Sequence, residues 1–334
     1  MPSNKLVSQL AHVEVSTPKL EESTRFFVDV LGLHEVARQD QSVHLRCWGE
    51  TFHSSVILTE GAQPGVNHVA WRAEGPDELK VAAERLEADG SGIGWVDGAV
   101  GHGPAYQFHA PGGGVNEVFW EVERYQAPKE LKSTFPGRPQ RYPGHGVAAR
   151  QLDHVTLPTR DVDADTKWWR DTLGFRFMEY QVLDDNADHM FFTMLTVTEQ
   201  SHTLGLLHDA SWVPGRVHHI ALWVDQTADL HRAVDLIMEA GTPIEYGPGR
   251  HGQRENSFLY FREPGGFRIE LFSGGYRNYE PDWEPIRWRP IEGPLDNTRT
   301  MPAPISMLDA FPPSEEEIKV EEGVDNPWTL EGVR

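Results

Sequence analysis

The sequence predicts an α+β fold built from repeated units of strand and helix. Three pairs of similar segments carry this prediction, and each pair has one copy in either half of the 334-residue chain. The first pair is QLAHVEVSTPKLEESTRFFVDVLGLHEV (9–36) and QLDHVTLPTRDVDADTKWWRDTLGFRFM (151–178), which align without a gap. Similarity over segments of this length indicates a duplicated structural unit.

Each copy of the first pair predicts a short strand, a helix and a glycine just past the helix end. The glycine, Gly32 or Gly174, suits the positive φ that this position requires. The second pair, VNHVAWRAEGPDELKVAAERLEADG (66–90) and VHHIALWVDQTADLHRAVDLIMEAG (217–241), predicts the same order of elements. The third pair, FHAPGGGVNEVFWEV and FREPGGFRIELFSGG, predicts two strands joined by a Pro-Gly-Gly turn.

Each half is therefore expected to contain two β-α-β-rich units, with further strands in segments such as HLRCWG and HTLGLLH. We predict an N-terminal domain over 1–130, a Pro/Gly-rich linker over 131–148 and a C-terminal domain over 149–276. A tail follows over 277–334. The aromatic residues of 277–294 favour packing on the body, whereas the acidic stretch over 312–334 is expected to be partly disordered.

Composition excludes several classes of partner. The formal net charge of −21 argues against nucleic acid and anionic membranes. No apolar run approaches the roughly 18 residues of a membrane span, and the first residues lack the apolar block of a signal peptide. The single cysteine, Cys47, rules out an intrachain disulfide. We therefore expect a cytoplasmic protein that acts on a small molecule.

Histidines and a carboxylate recur at equivalent places in both halves. Strand side chains alternate between faces, so only one of His218 and His219 faces inward, and the repeat assigns this role to His219 because it aligns with His68. The recurring sets are His154, His219 and Glu270 in the second half and His12, His68 and Glu117 in the first. Two neutral imidazoles and one carboxylate form a facial triad, which leaves three positions open and suits non-haem Fe(II) oxygenases.

Taken singly, these residues also have simpler interpretations. His154 could be a histidine in a capped turn, and Glu270 could be the ion-pair partner of Arg268. A carboxylate among apolar neighbours is costly unless it is paired or bound to a metal. The occurrence of all three at equivalent repeat positions favours the metal site.

The segments LDHVTL, VHHIALWV, SHTLGLL and GPGRHGQRENSFLYFREPGGFRIELFSGGY resemble the type I extradiol ring-cleavage dioxygenases of the vicinal oxygen chelate superfamily. Within this family, catechol and homoprotocatechuate 2,3-dioxygenases are the most similar. The resemblance implies four βαβββ modules that form two domains of open, cupped sheet, as in glyoxalase and dihydroxybiphenyl dioxygenase. It also implies one Fe(II) ion, with Mn(II) as the alternative, held by the C-terminal domain alone. The implied reactants are an aromatic diol and O₂, and the implied assembly is a homo-oligomer, commonly a tetramer.

The resemblance further implies roles for three residues around the metal. His202 matches a histidine that handles protons, Tyr260 matches a tyrosine that hydrogen-bonds the substrate or an intermediate, and His251 matches another histidine near the metal. Without the resemblance, His202 reads as a polar residue at a strand start, His251 as a loop histidine and Tyr260 as a core residue. Tyr246 stands where homoprotocatechuate enzymes have an arginine, which argues against a carboxylate on the substrate.

The first half keeps more than its three donors, because His53 aligns with His202. However, Gln107 is the counterpart of Tyr260, and the tail that could cover a site follows the second half directly. We therefore expect no functional metal site in the first half. Thr156, where many relatives have asparagine, has no interpretation.

Three other functions stay open. One is a related dioxygenase that acts on homoprotocatechuate, hydroquinone or 4-hydroxyphenylpyruvate. Another is a glyoxalase-type isomerase, which consumes no oxygen. The third is a non-catalytic small-molecule binding module, which would hold no metal.

Overall fold

The computed structural model describes residues 5–182, 189–209, 211, 213–289 and 302–313. Within these ranges the chain forms two large β-sheets with one helix in each structural repeat. The predicted α+β class is therefore confirmed. None of the described helices is long and apolar enough to cross a bilayer.

One order of elements, a strand, a helix and three strands, occurs four times. The first module comprises β1 (Val7–Thr17), α1 (Leu20–Arg25), β2 (His34–Gln39), β3 (Ser42–Arg46) and β4 (Val56–Glu60). The second comprises β5 (Gly65–Ala73), α2 (Pro76–Ala88), β6 (Gly92–Val96), β7 (Ala105–His109) and β8 (Val115–Phe119). The third comprises β9 (Gln151–Thr159), α3 (Val162–Leu173), β10 (Arg176–Val182), β11 (Met190–Thr196) and β12 (Leu204–His208). The fourth comprises β13 (His219–Trp223), α4 (Thr227–Glu239), β14 (Ile244–Arg250), β15 (Asn256–Arg262) and β16 (Arg268–Gly274). The βαβββ modules are thus confirmed.

The two sheets have the same topology. The first has the order β2-β3-β4-β1-β5-β8-β7-β6, and the second has the order β14-β15-β16-β13-β9-β12-β11-β10, extended by β17 (Ile286–Trp288). In each sheet the first strands of the two modules, β1 with β5 and β9 with β13, pair antiparallel at the centre. The last strand of each module then pairs parallel with the first strand of that module. This arrangement brings the first and last strands of both modules side by side.

Local sequence signals explain where the helices begin and end. The Asp161 side chain accepts a hydrogen bond from the amide of Ala164 and caps the start of α3. At the end of α3, Gly174 has a φ of 82°, which other residues adopt only with strain. Gly241 has the same role after α4, with a φ of 81°. The glycine positions predicted from the repeat are therefore confirmed.

The two halves share a continuous hydrophobic core. Trp71 from the first sheet packs edge-on against Trp169 of α3 and against Phe175, with ring centroids 5.6 and 5.2 Å apart. The amide of Leu152 also donates a 2.7 Å hydrogen bond to Oε1 of Glu50 across the junction. These contacts fix the start of β9, the strand that carries His154, the first predicted metal donor.

Two parts of the tail pack on the second half. β17 pairs with β10, and the Trp283 indole donates a hydrogen bond to the carbonyl of Met178 at 2.9 Å. The segment 302–313 lies beside the start of β13, where Phe311 pairs with Val217. The rest of the predicted aromatic segment, 290–294, and the acidic stretch from 314 onward lie outside the described residues.

A buried ion-pair network anchors the segment 302–313. Glu245 on β14 accepts hydrogen bonds from Arg268 and Arg262, each at 2.9 Å. Arg268 also donates to the carbonyl of Asp309 at 2.7 Å. Although burial alone would raise the pKa of Glu245, the two guanidinium groups lower it to about 2. Glu245 therefore stabilises Arg268, which is fully buried.

The Glu245→Gln variant should unfold with a free energy about 3 kcal/mol smaller at pH 7, because Arg268 loses its buried counter-ion. The carboxyl pKa is lower in the folded protein than its ordinary 4.5, so its contribution is complete above that value and is lost as the pH falls toward 2. Urea unfolding at pH 7 and pH 3 measures both effects. The difference between the proteins should shrink at pH 3. Glu239→Gln, an exposed change on α4, is the control, and an equal loss in both variants would contradict this account.

Candidate metal centre

Strand register places the three predicted donors at one point of the second sheet. Ala221 on β13 lies opposite His154 of β9 on one side and opposite Glu270 of β16 on the other. His219 lies two residues before Ala221, so its side chain leaves the sheet on the same face. The three side chains therefore converge although 65 and 116 residues separate His154 from the other two.

The donor atoms lie at distances that suit an octahedral ion. His154 Nε2 is 3.0 Å from Glu270 Oε2 and 3.2 Å from His219 Nε2, and His219 Nε2 is 3.1 Å from Glu270 Oε2. Neighbouring donors at about 2.1 Å from a common octahedral ion are about 3.0 Å apart. The second carboxylate oxygen, Glu270 Oε1, is buried and has no hydrogen-bond partner. The set therefore fits a divalent metal that keeps three further positions open.

Electrostatics at this point favour a cation. Burial alone would raise the pKa of Glu270, but the His154 and His219 imidazoles lower it well below its usual range. Burial, which Glu270 offsets only in part, lowers the pKa of His219 to about 4. Glu270 is thus a carboxylate and His219 a neutral imidazole, which are the forms that bind metals. The alternative in which Glu270 pairs with Arg268 is wrong, because Arg268 pairs with Glu245.

Neighbouring groups set the proton positions on both histidines. Asp153 Oδ1 accepts a 2.8 Å hydrogen bond from His154 Nδ1 and leaves Nε2 free to bind. The Met307 carbonyl can only accept, so His218 Nε2 donates to it, at 2.7 Å. His218 Nδ1 then accepts from His219 Nδ1, at 2.6 Å. This chain leaves the lone pair of His219 on Nε2, which faces Glu270.

His202 lies directly beside the donor set. Its ring centroid is 4.0 Å from that of His154, and Arg254 donates a hydrogen bond to its Nε2. Burial has the larger effect and the positive charge of Arg254 the next largest, and together they lower the pKa of His202 well below its usual value. His202 is therefore neutral, and its Nε2 is an acceptor.

Tyr260 lies on the other side of the donors. It is the strand partner of Glu270, and its ring centroid is 5.4 Å from that of His219. Its hydroxyl is 3.2 Å from His251 Nε2, so it bonds a side chain and not a main-chain group. Burial and then Glu270 raise the pKa of Tyr260 well above its usual value, so the phenol keeps its proton. Tyr246 stacks beside Tyr260, with centroids 5.9 Å apart.

The first half brings its own set together in the same way. Ala70 lies opposite both His12 and Glu117, and His68 lies two residues before it. His102, which the sequence analysis did not single out, also reaches this cluster. His53, the counterpart of His202, lies near Ser54 Oγ, at 3.4 Å.

Sequence reasoning missed several residues for identifiable reasons. Arg254 is an ordinary surface-type residue in the sequence, and only its buried position beside His202 reveals a role. Asp153 directly precedes His154, a signal that could have been used. His102 lies in a Gly-His-Gly triplet that resembles Arg250-His251-Gly252, but matching the two requires a gap in the repeat.

Comparison with known proteins gives a consistent result. The profile of the Glyoxalase/Bleomycin resistance protein/Dioxygenase superfamily matches residues 9–118 and 151–271. The manganese-dependent 2,3-dihydroxybiphenyl 1,2-dioxygenase of Geobacillus genomosp. 3 is 37% identical, over 87% of this chain and 98% of the relative. The metapyrocatechase of Geobacillus stearothermophilus is 40% identical, over 84% of this chain and 86% of the relative. The crystal structure of the 2,3-dioxygenase LapB from Pseudomonas sp. KL28 has a TM-score of 0.78 and 27% identity, covering 85% of this chain and 98% of LapB.

Proposed function

This chain belongs to the Glyoxalase/Bleomycin resistance protein/Dioxygenase superfamily, and on that premise we propose that it is an extradiol dioxygenase. It opens the ring of a catechol beside the two hydroxyl groups, incorporates both atoms of O₂ and gives a 2-hydroxymuconic semialdehyde-type product. The relatives named metapyrocatechase and dihydroxybiphenyl dioxygenase, which align over most of the chain, support this assignment.

The convergence of His154, His219 and Glu270 is the observation that carries the proposal. These donors would hold a divalent metal from one side, and such a set leaves three ligand positions open, enough for two catechol oxygens and O₂. When bound, a redox-active metal supplies the route for electrons from the diol to O₂. We propose Fe(II), because the donor set suits this ion. Mn(II) is the alternative, because the donor set suits it as well and one relative is manganese-dependent.

His202 is the proposed proton acceptor for the catechol. It is buried beside His154, and its Nε2 lone pair is directed at Arg254. A substrate hydroxyl that replaces the guanidinium N–H can transfer its proton to this nitrogen. The cationic Arg254 disfavours a lasting imidazolium, so the proton is available for return in a later step.

Tyr260 and His251 are the proposed hydrogen-bonding pair. The Tyr260 phenol keeps its proton and is held by His251 at 3.2 Å. It can therefore donate a hydrogen bond to negative charge that develops on an oxygen of the reacting diol. The rigid packing of Tyr260 against Tyr246 and Phe258 fixes the direction of this donor.

We propose that the substrate carries an apolar ring substituent or none. Tyr246, Phe258 and Tyr260 form a buried aromatic cluster next to His219, and Met307 packs against it. Tyr246 occupies the place at which the resemblance to homoprotocatechuate enzymes would require an arginine. A carboxylate beside this cluster would be desolvated without a counter-ion, which is costly.

An anaerobic purification with metal analysis, followed by an oxygen-electrode and absorbance screen, tests the proposal. Catechol, 3- and 4-methylcatechol and 2,3-dihydroxybiphenyl should give oxygen uptake and a yellow product, whereas homoprotocatechuate should be much poorer. Treatment with a chelator should abolish turnover, and Fe(II) or Mn(II) should restore it. Metal-loaded protein that consumes no oxygen with any diol would favour an isomerase, and protein that binds no metal would favour a binding module.

A further inference from the structure

His12, His102 and Glu117 bring donor atoms within 4.8 Å of one another in the first sheet, away from the site described above, and His68 lies beside His12 and Glu117. Glu117 Oε1 lies 3.6 Å from His12 Nε2, 3.7 Å from His68 Nε2 and 3.5 Å from His102 Nε2. The side chains are largely buried, with exposed fractions of 4% for Glu117 and 15% for His68, the most exposed of the four. We propose that His12, His102 and Glu117, with His68 as the fourth donor, bind a second, structural divalent cation of the zinc type.

The distances around Glu117 argue for an ion and against hydrogen bonds. Separations of 3.5–3.7 Å between nitrogen and oxygen are too long for a hydrogen bond. Donors at about 2.1 Å from a tetrahedral ion are about 3.4 Å apart, so His68 Nε2, now 2.8 Å from His12 Nε2, would move away from it when both bind an ion. Glu117 Oε1 is buried and has no hydrogen-bond partner, which is costly for a carboxylate. A cation among the four side chains satisfies this oxygen.

Two of the three imidazoles are oriented as metal-binding histidines usually are. His102 Nδ1 is 2.8 Å from the carbonyl of Gly103, and His68 Nδ1 is 2.9 Å from Glu14 Oε2. Because a carbonyl and a carboxylate accept, each Nδ1 carries a hydrogen, and in the neutral form that binds metals each Nε2 carries the lone pair. Glu14 is in turn held by the Thr59 hydroxyl at 2.6 Å. These hydrogen bonds therefore orient the His68 and His102 side chains in the absence of an ion.

A change of tautomer allows the remaining imidazole, His12, to act as a donor. His12 Nε2 lies 2.8 Å from His68 Nε2 and donates to it when His68 is neutral, because the lone pair of neutral His68 is on that nitrogen. Moving the His12 hydrogen from Nε2 to Nδ1 frees its Nε2 for the ion and changes no charge. A small pocket bordered by His12, His102 and Phe52 reaches the cluster.

The composition of the cluster favours a structural ion and not a catalytic one. With His68 as the fourth ligand, the protein donors would fill a tetrahedral shell and leave no position for a substrate, as in structural zinc sites. Gln107 stands in place of Tyr260, and its amide nitrogen is 3.4 Å from Glu117 Oε2. His53, in place of His202, lies near Ser54 Oγ instead. The second ion is thus expected to stabilise the first sheet without entering the reaction.

Zinc titration of the metal-stripped, untagged full-length chain tests the proposal, with the bound ions counted by elemental analysis after desalting. Wild type should bind two ions per chain, Glu117→Gln and Glu270→Gln one each, and the double variant none. His53→Gln, in the same half but outside the cluster, should keep both. The Co(II)-loaded Glu270→Gln protein should show the intense visible absorption of tetrahedral cobalt.

The outcomes separate this proposal from the proposed function. One ion per chain in wild type and none in Glu270→Gln would overturn the second site and leave the catalytic site intact. If Glu117→Gln does not fold, the wild-type count and the cobalt spectrum of Glu270→Gln still decide. Weak absorption typical of octahedral Co(II) in that variant would also overturn the proposed coordination.

Discussion

The Glu270→Gln variant should fold but lose both its catalytic metal and its ring-cleavage activity. Glu270 supplies the only negative charge among the three donors of the second sheet, and its Oε2 lies 3.0 Å from His154 Nε2 and 3.1 Å from His219 Nε2. Loss of a group that only orients a ligand already costs 10–100-fold in metal affinity. We therefore expect the loss of a direct ligand to cost more than about 100-fold.

Metal content after anaerobic loading with Fe(II), measured together with oxygen uptake on catechol, checks this result. The comparison is Glu199→Gln, an exposed change in the same half of the chain, which should match wild type in both measurements. Circular dichroism establishes that the variants are folded. Wild-type turnover in Glu270→Gln would remove this carboxylate from the metal site and, with it, the proposed mechanism.

The His202→Phe variant should bind iron and catechol normally but turn over about 100- to 10,000-fold more slowly, the range that a positioned acid–base group contributes. His202 touches the site without lying among the donors, because its ring packs 4.0 Å from His154 and its Nε2 accepts from Arg254. Phenylalanine keeps the ring packing and removes the proton acceptor. The effect should therefore fall on kcat and much less on KM.

Steady-state kinetics with a parallel iron assay separates these effects. His208→Phe, a change of the same kind on β12 and outside the donor cluster, is the matched control and should retain wild-type kcat. If His202→Phe has wild-type kcat, then His202 has no part in proton transfer. If it loses iron instead, His202 supports the ligands and is not the proton acceptor.

The sequence was sufficient for the architecture because the fold repeats itself. Gly174 and Gly241 follow their helices at matching places, and the positive φ of each shows why only glycine recurs there. The choice of His219 as the predicted donor followed from the same comparison, but the expectation that only one of the pair faces inward was wrong, because His218 is buried too and its Nδ1 lies 2.6 Å from that of His219. Repeats provide an internal alignment, and this replaces information that a single sequence otherwise lacks.

The convergence of His154, His219 and Glu270 could be predicted for the same reason, since equivalent strands of a repeat occupy equivalent places in a sheet. Their immediate surroundings could not. Arg254 contacts His202 from a turn in which the φ of Arg254 is 61°, and no sequence pattern predicts this conformation. Met307 reaches His218 from 89 residues along the chain, after the repeat has ended. Contacts of this kind depend on the path of the chain in space and leave no periodic signal.

The hydrogen bond between the Met307 carbonyl and His218 ties metal affinity to a part of the protein that contains no ligand. As long as this carbonyl is in place, it dictates which nitrogen of His219 is protonated and leaves a lone pair available to the proposed metal. Proteolytic trimming ahead of residue 302 would release that constraint, and a hydrogen could then settle on the metal-facing nitrogen. Iron would then compete with this hydrogen for His219 Nε2. We therefore expect the protein to hold the proposed ion well only while its C-terminal segment is intact.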